Sequence, residues 1–142
     1  DNLFVTMILA KLEPASGKCT YVNSAHPCGY VVDRSGGVAA ELKSVCLPLG
    51  LFPELPQCAE HEFVVGEGDI AVLATDGVFE SESPHGEEFG SQRLLEVLRQ
   101  HRERSAREIV DRIYDAVQEF TEHEKQADDV TIVICKRDPD AG

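Results

Sequence analysis

Ile70-Ala71-Val72-Leu73-Ala74-Thr75-Asp76-Gly77-Val78 is an apolar run that ends in an acidic residue followed by glycine. Gly66-Glu67-Gly68-Asp69 bounds it on one side and Asp76-Gly77 on the other, so the uncharged residues 70–75 read as a buried central strand. That strand delivers a carboxylate to its end. A second stretch repeats the construction in reverse order, with Asp128-Asp129 ahead of Val130-Thr131-Ile132-Val133-Ile134-Cys135. If the two strands run antiparallel and close together, the end of the first and the start of the second share a sheet edge. Asp76 then faces Asp128 or Asp129. Carboxylates gathered at one edge repel unless a cation sits between them, and hard oxygen donors suit Mg²⁺ or Mn²⁺ rather than zinc.

Composition narrows the class. The 142 residues are the size of one domain, and 42% hydrophobic with 27% charged residues is ordinary for a globular chain with its own core. A net charge of −13 argues against a nucleic-acid partner, since no basic cluster is free of acidic neighbours. The basic residues over 93–112 are interleaved with acids and read as solvated helix faces. No apolar run approaches the roughly 20 residues of a membrane span, and no signal peptide is visible. The expectation is a cytoplasmic domain without membrane contact, and Asp1 in place of methionine points to a piece of a longer protein. Cys19, Cys28, Cys46, Cys58 and Cys135 show no Cys-x-x-Cys spacing and read as reduced, structural thiols.

In chain order, residues 4–10 are a β-rich run, 13–18 a turn cluster and 19–23 a return strand. After the polar break Asn23-Ser24-Ala25-His26-Pro27, residues 30–33 and 38–42 form a second hairpin, so residues 4–42 read as an antiparallel meander. Pro48, Gly50, Pro53 and Pro56 make residues 45–56 a loop. Residues 60–65 alternate as a half-buried strand, which is expected to pair with the central strand across residues 66–69. The polar residues 80–88 are expected to be a mobile loop beside the acidic edge. Ser91 is the expected cap of a helix with Leu94, Leu95, Val97 and Leu98 on one face. Ser105 with Glu108 forms a capping box for a second helix, whose stripe is Ile109, Val110, Ile113, Val117 and Phe120. Antiparallel strands followed by two helices give an α+β class. The domain is expected over residues 1–137, with residues 138–142 a disordered tail.

Asn23-Ser24-Ala25-His26-Pro27, Pro48-Leu49-Gly50, Gly68-Asp69, Thr75-Asp76-Gly77-Val78-Phe79-Glu80, Phe89-Gly90 and Asp128-Asp129-Val130-Thr131 stand in order along nearly the whole chain. Together they resemble the SpoIIE/RsbU branch of the PP2C-like (PPM) protein serine/threonine phosphatases. The resemblance implies a four-layer αββα sandwich of two antiparallel sheets with a Mg²⁺ or Mn²⁺ pair at one edge. It implies metal ligands at Asp76 and Asp128, with Gly77 and Asp129 in the same set. Asp129 could position a metal-bound water, and strand alternation points it away from Asp128. His26 stands where wider-family members carry a carboxylate near the metals; it is either catalytic or a loop-ordering hydrogen-bond partner. Ala25 replaces the glycine usual in the branch. Glu80 reads as a solvated or loop-ordering carboxylate, and His61, His85, His101 and His123 as surface residues.

The family's Gly-Asp-Phe/Tyr-x-Asp and Asp-x-x-Gly-x-Gly motifs are absent from these residues, so the N-terminal part of the domain and its bridging aspartate are missing. The implied activity of the parent is hydrolysis of phosphoserine or phosphothreonine on a regulatory protein, such as an anti-sigma-factor antagonist in bacterial partner switching. The alternative is a catalytically inactive fragment or pseudo-phosphatase that binds a protein partner. Sheet edges left open by a truncated sandwich would also allow a homodimer.

Overall fold

The computed structural model describes residues 3–54, 57–124 and 128–139. The elements follow one another as β1 (Met7–Leu12), β2 (Lys18–Ser24), β3 (Gly29–Val32), β4 (Val38–Leu42), β5 (His61–Val64), β6 (Ile70–Ala74), α1 (Asp76–Phe79), α2 (Gly90–His101), α3 (Ala106–Phe120) and β7 (Ile132–Lys136). They form two antiparallel sheets, of order β1-β2-β5 and β4-β3-β6-β7. The α+β class is as expected.

The opening run is the inner strand β6. Its neighbours β3 and β7 saturate both edges, and Ile70, Val72 and Ala74 are buried against the helices. Leu94, Leu95 and Leu98 of α2 and Ile109, Ile113 and Val117 of α3 complete that core. The spacing of those residues puts each set on one helix face, which is why the two helices lie on the sheet. The predicted capping box is present: Ser105 Oγ accepts the Glu108 N–H and the Glu108 carboxylate accepts the Ser105 N–H. Ser91, in contrast, is no cap. α2 starts at Gly90, where a φ of +71° admits the chain into the helix, and no side chain caps that start.

The expected meander is divided. β1–β2 and β3–β4 are hairpins of different sheets, and residues 25–28 cross between them. A buried asparagine causes the crossing. Asn23 Nδ2 donates to the Leu42 carbonyl at 2.9 Å, and Asn23 Oδ1 accepts the His26 N–H at 2.9 Å, while Ala25 turns the chain at a φ of +53°. Tyr21, Val31 and Leu42, with Ile8, Ala40, Phe63, Ala71 and Leu73 around them, form the second core between the sheets.

The expected β5–β6 hairpin does not form, because β5 pairs with β2, from Lys18↔Val64 to Tyr21↔His61. The five residues between β5 and β6 carry the chain from one sheet to the other. Gly68 takes a φ of +83°, and the Asp69 carboxylate accepts the Gly66 N–H at 2.8 Å and the Arg34 N–H at 3.1 Å. At the same end, Arg137 spans the sheets by donating to the carbonyls of Ser16 at 2.9 Å and Val65 at 3.0 Å.

Two further expectations change. Cys46 and Cys58 are joined by a disulfide, so the reduced state holds for Cys19, Cys28 and Cys135 only. Their separation of 12 residues carries no motif, and the pairing arises from the loop folding back on itself. Residues 80–88, expected as a mobile loop, form a loop closed by its own hydrogen bonds. Glu82 bridges Glu88, Ser83 N–H donates to the Glu87 carbonyl at 2.8 Å, and Arg93 clamps the far side through Glu87 at 3.1 Å and the Glu88 carbonyl at 2.9 Å.

Three of the four expected layers are present among the described residues: helices, four-stranded sheet, three-stranded sheet. Met7, Leu9 and Val64 on the outer face of the last are exposed, as that face carries no helix. Of the expected tail, Asp138 and Pro139 are irregular and exposed, and residues 140–142 lie outside the described residues.

Candidate active site

β6 and β7 pair from Ile70↔Lys136 to Ala74↔Ile132, so the chain leaves β6 where it enters β7. Beyond that last pair the ladder continues through one side chain. Thr75 N–H donates to the Thr131 carbonyl at 3.1 Å, Thr75 Oγ1 accepts the Thr131 N–H at 2.9 Å, and Thr75 Oγ1 donates to the Asp129 carbonyl at 3.1 Å. Thr75 thereby ties the Asp128-Asp129 segment to the residue before Asp76. Asp76 opens α1, one helical turn closed by the Glu80 N–H donating to the Asp76 carbonyl at 2.8 Å and by Ser81 Oγ donating to the Gly77 carbonyl at 2.7 Å.

Gly77 makes the approach possible. A Cβ there would lie 2.4 Å from the Asp129 carbonyl oxygen and 3.4 Å from that of Asp128. Real side chains do not tolerate the first of these distances, so only glycine lets the two acidic segments touch.

β7 begins at Ile132, two residues later than the sequence pattern predicts, and Asp128 and Asp129 lie ahead of it in irregular backbone. Strand alternation therefore does not separate their side chains, because the Thr75 hydroxyl occupies the place of a ladder partner. Asp76, Asp128 and Asp129 are all exposed. Asp76 Oδ1 accepts the Gly77 N–H at 3.0 Å and Asp128 Oδ1 accepts the Asp129 N–H at 2.7 Å. The donor chemistry is all-oxygen and suits a hard divalent cation. The donor number falls short: among the described residues no three His, Cys, Asp or Glu side chains converge on one point.

A cavity of about 580 Å³ opens beside Asp76, and His26, Tyr30, Phe79, Glu80, Glu88 and Ser91 are among its walls. His26 and Asp76 thus share one cavity, although they come from different parts of the chain. The His26 ring is held at Nδ1, 3.3 Å from the Thr6 hydroxyl. On the floor, burial pushes the Tyr30 hydroxyl and the Cys28 thiol above their ordinary values, so both stay protonated at neutral pH. Glu80 stands at the rim and is exposed, in keeping with a solvated carboxylate. His61, His85 and His123 are exposed, and His101 is half-buried at the end of α2.

Sequence reasoning misses three contributors. Asn23 looks like one more polar residue in a break, yet it is fully buried and shapes the His26 turn. A lone Asn at the end of a β-rich run was the available signal. Thr75 and Thr6 carry no signal, because their partners are backbone and side-chain atoms far away in the sequence.

The chain is similar to known proteins over nearly its whole length. The family model for stage II sporulation protein E (SpoIIE) matches residues 1–138. The phosphoserine phosphatase RsbU of Bacillus subtilis is 29% identical over 143 residues, covering 96% of this chain and 40% of RsbU. Protein IcfG of Synechocystis sp. is 27% identical over 135 residues, covering 95% of this chain and 21% of IcfG. The chain thus spans less than half the length of these curated relatives. Among solved structures, the SiaA-PP2C domain of Pseudomonas aeruginosa superposes with a TM-score of 0.80 at 22% identity, covering 94% of this chain and 52% of that one. The phosphatase domain of SpoIIE from Bacillus subtilis, presoaked with Mn, superposes with a TM-score of 0.73 at 17% identity, covering 96% and 58%. The fold is that of a PP2C domain, present in part. With its family model matched over residues 1–138, the chain belongs to the SpoIIE family of PP2C-like phosphatase domains.

Proposed function

We propose that this chain is the C-terminal portion of a Mg²⁺- or Mn²⁺-dependent protein phosphatase domain acting on phosphoserine or phosphothreonine of a regulatory protein. The observation that carries the reading is the backbone-to-backbone approach of Asp76-Gly77 and Asp128-Asp129, fixed by Thr75 and by the absence of a side chain at Gly77. An all-carboxylate end of two paired strands concentrates negative charge, which a bound cation would neutralise.

In this reading Asp76 and Asp128 would hold the cation, Asp129 would orient a water, and the Gly77 backbone keeps the two acidic segments close. When bound, such a cation supplies charge neutralisation at the phosphoryl oxygens, the term on which phosphate-ester hydrolysis chiefly depends. His26 faces the same cavity, and with Nδ1 beside Thr6 the proton for the departing seryl or threonyl oxygen would come from Nε2. RsbU, a phosphoserine phosphatase by name, supports the substrate class. A phosphorylated anti-sigma-factor antagonist in a cytoplasmic partner-switching circuit is the substrate we favour.

A second reading, a protein-binding module without catalysis, is favoured by one observation: the described residues hold no set of three converging donors. Calorimetric titration with Mn²⁺ decides between them. Weak binding by the chain, lost in Asp76→Asn and in Asp128→Asn, supports the phosphatase reading; undiminished affinity in the double variant removes both residues as ligands. Phosphopeptide turnover is expected from a chain extended at its N-terminus, and not from these 142 residues alone.

A further inference from the structure

The Cys46–Cys58 disulfide is unused by the chemistry above, yet its first cysteine is bonded to the turn that carries His26. Cys46 bridges Ser24 in parallel, Val45 N–H donates to the Asn23 carbonyl at 3.0 Å, and Ser24 Oγ donates to the Leu47 carbonyl at 2.6 Å. One residue further along, Ala25 N–H donates to Ser44 Oγ at 2.8 Å. Ala25 has a φ of +53°, a left-handed conformation that a residue with a Cβ holds only when its surroundings enforce it. Those surroundings are residues 44–47, and the disulfide anchors their far side.

We infer that Cys46–Cys58 is a reversible thiol–disulfide site, addressed by small thiols and disulfides, whose state sets how firmly the His26 turn is held. Access is open at both cysteines, which are only partly buried, and the loop that they close exposes Leu51 and Phe52. Breaking the bond therefore requires no disruption of either core. The chemistry balances as ordinary exchange. A thiolate from a small thiol attacks one sulfur, the Cys46–Cys58 bond breaks, and a mixed disulfide forms with one cysteine while the other leaves as its thiolate; a second small thiolate then attacks the small-thiol sulfur of that mixed disulfide and displaces the remaining cysteine. Two protons end on the cysteines, and two electrons pass to them from two small thiols that leave as their disulfide. The loop residues 47–54 then regain the freedom that the cross-link removed.

The test uses the full 142-residue chain and two readouts. In the first, iodoacetamide is applied in denaturant after equilibration in oxidised or reduced glutathione, and mass spectrometry counts alkylated cysteines. Three are expected from the oxidised chain, matching Cys19, Cys28 and Cys135, and all five from the reduced one. In the second, amide hydrogen exchange at Ala25, His26 and Val45 is expected to quicken roughly tenfold on reduction, while Ile109 and Ile113 in the core keep their rates. The double variant C46S/C58S should match the reduced chain in either buffer. Five alkylated cysteines after oxidation would overturn the site. Unchanged exchange at the His26 turn, or equal acceleration throughout the core, would overturn its coupling to that turn.

Discussion

A methyl group on Gly77 would stand 2.4 Å from the carbonyl oxygen of Asp129. Gly77→Ala must therefore push the segment after β6 away from the segment before β7. The expected cost is about 1–3 kcal/mol, the range for forcing an extra methyl into a packed contact. Urea denaturation should show the loss, and Mn²⁺ affinity should fall with it. An alanine variant of unchanged stability and affinity would mean that the two acidic segments need no such closeness.

Thr75 holds the same two segments by hydrogen bonds instead of by close packing. Thr75→Val keeps the shape and removes the hydroxyl, at about 1–2 kcal/mol for two net hydrogen bonds. Thr75→Ser keeps the hydroxyl and should restore most of the stability. Equal stability of the valine and serine variants, read from chemical denaturation, would place the value of Thr75 in packing.

Ile113 is fully buried between α3 and the four-stranded sheet. Ile113→Ala should cost about 2–5 kcal/mol through lost burial and the cavity left behind. A thermal melt checks it, and because the helices lie on the sheet that carries Asp76, metal binding should weaken only as the folded fraction falls.

The capping box gives a pH dependence whose sign can be worked out. Hydrogen bonds from the Ser105 hydroxyl and backbone N–H hold the Glu108 carboxyl below its ordinary value of 4.5. A lowered folded value means stability that is present above pH 4.5 and lost as pH falls through the folded pKa. Ser105→Ala should lower stability by about 1 kcal/mol at neutral pH. The gap between it and the parent chain should narrow as pH drops below 4.5. A gap that stays constant with pH would show that the carboxylate plays no part in the cap.

What the sequence tells and what it withholds divide along a physical line. β6, the two helix stripes and the Ser105 cap are legible because periodicity and capping are local patterns. Strand partners are not local. Nothing in residues 60–65 says whether their hydrogen bonds go to β6 across a short turn or to β2, and the answer depends on β6 already having a neighbour on each side. The acidic residues of the candidate site announce themselves by type; the residues that hold them do not. Thr75 and the amide nitrogen of Asn23 act through backbone groups more than ten positions away, and any residue can supply such a backbone partner. The Cys46–Cys58 bond is hidden for a related reason, since only the path of the loop brings the two together.

Asp76 and Asp128 lie just beyond the last pair of the β6–β7 ladder and are tied to it through Thr75, whereas His26 lies on the crossing between sheets. Register within a ladder is a stepped quantity: it changes by whole residues, and each step turns every side chain to the opposite face. The conformation of a crossing varies continuously. Insertions or substitutions within residues 25–28 can therefore retune where the imidazole stands, while the spacing of the acidic pair keeps one value or is lost altogether.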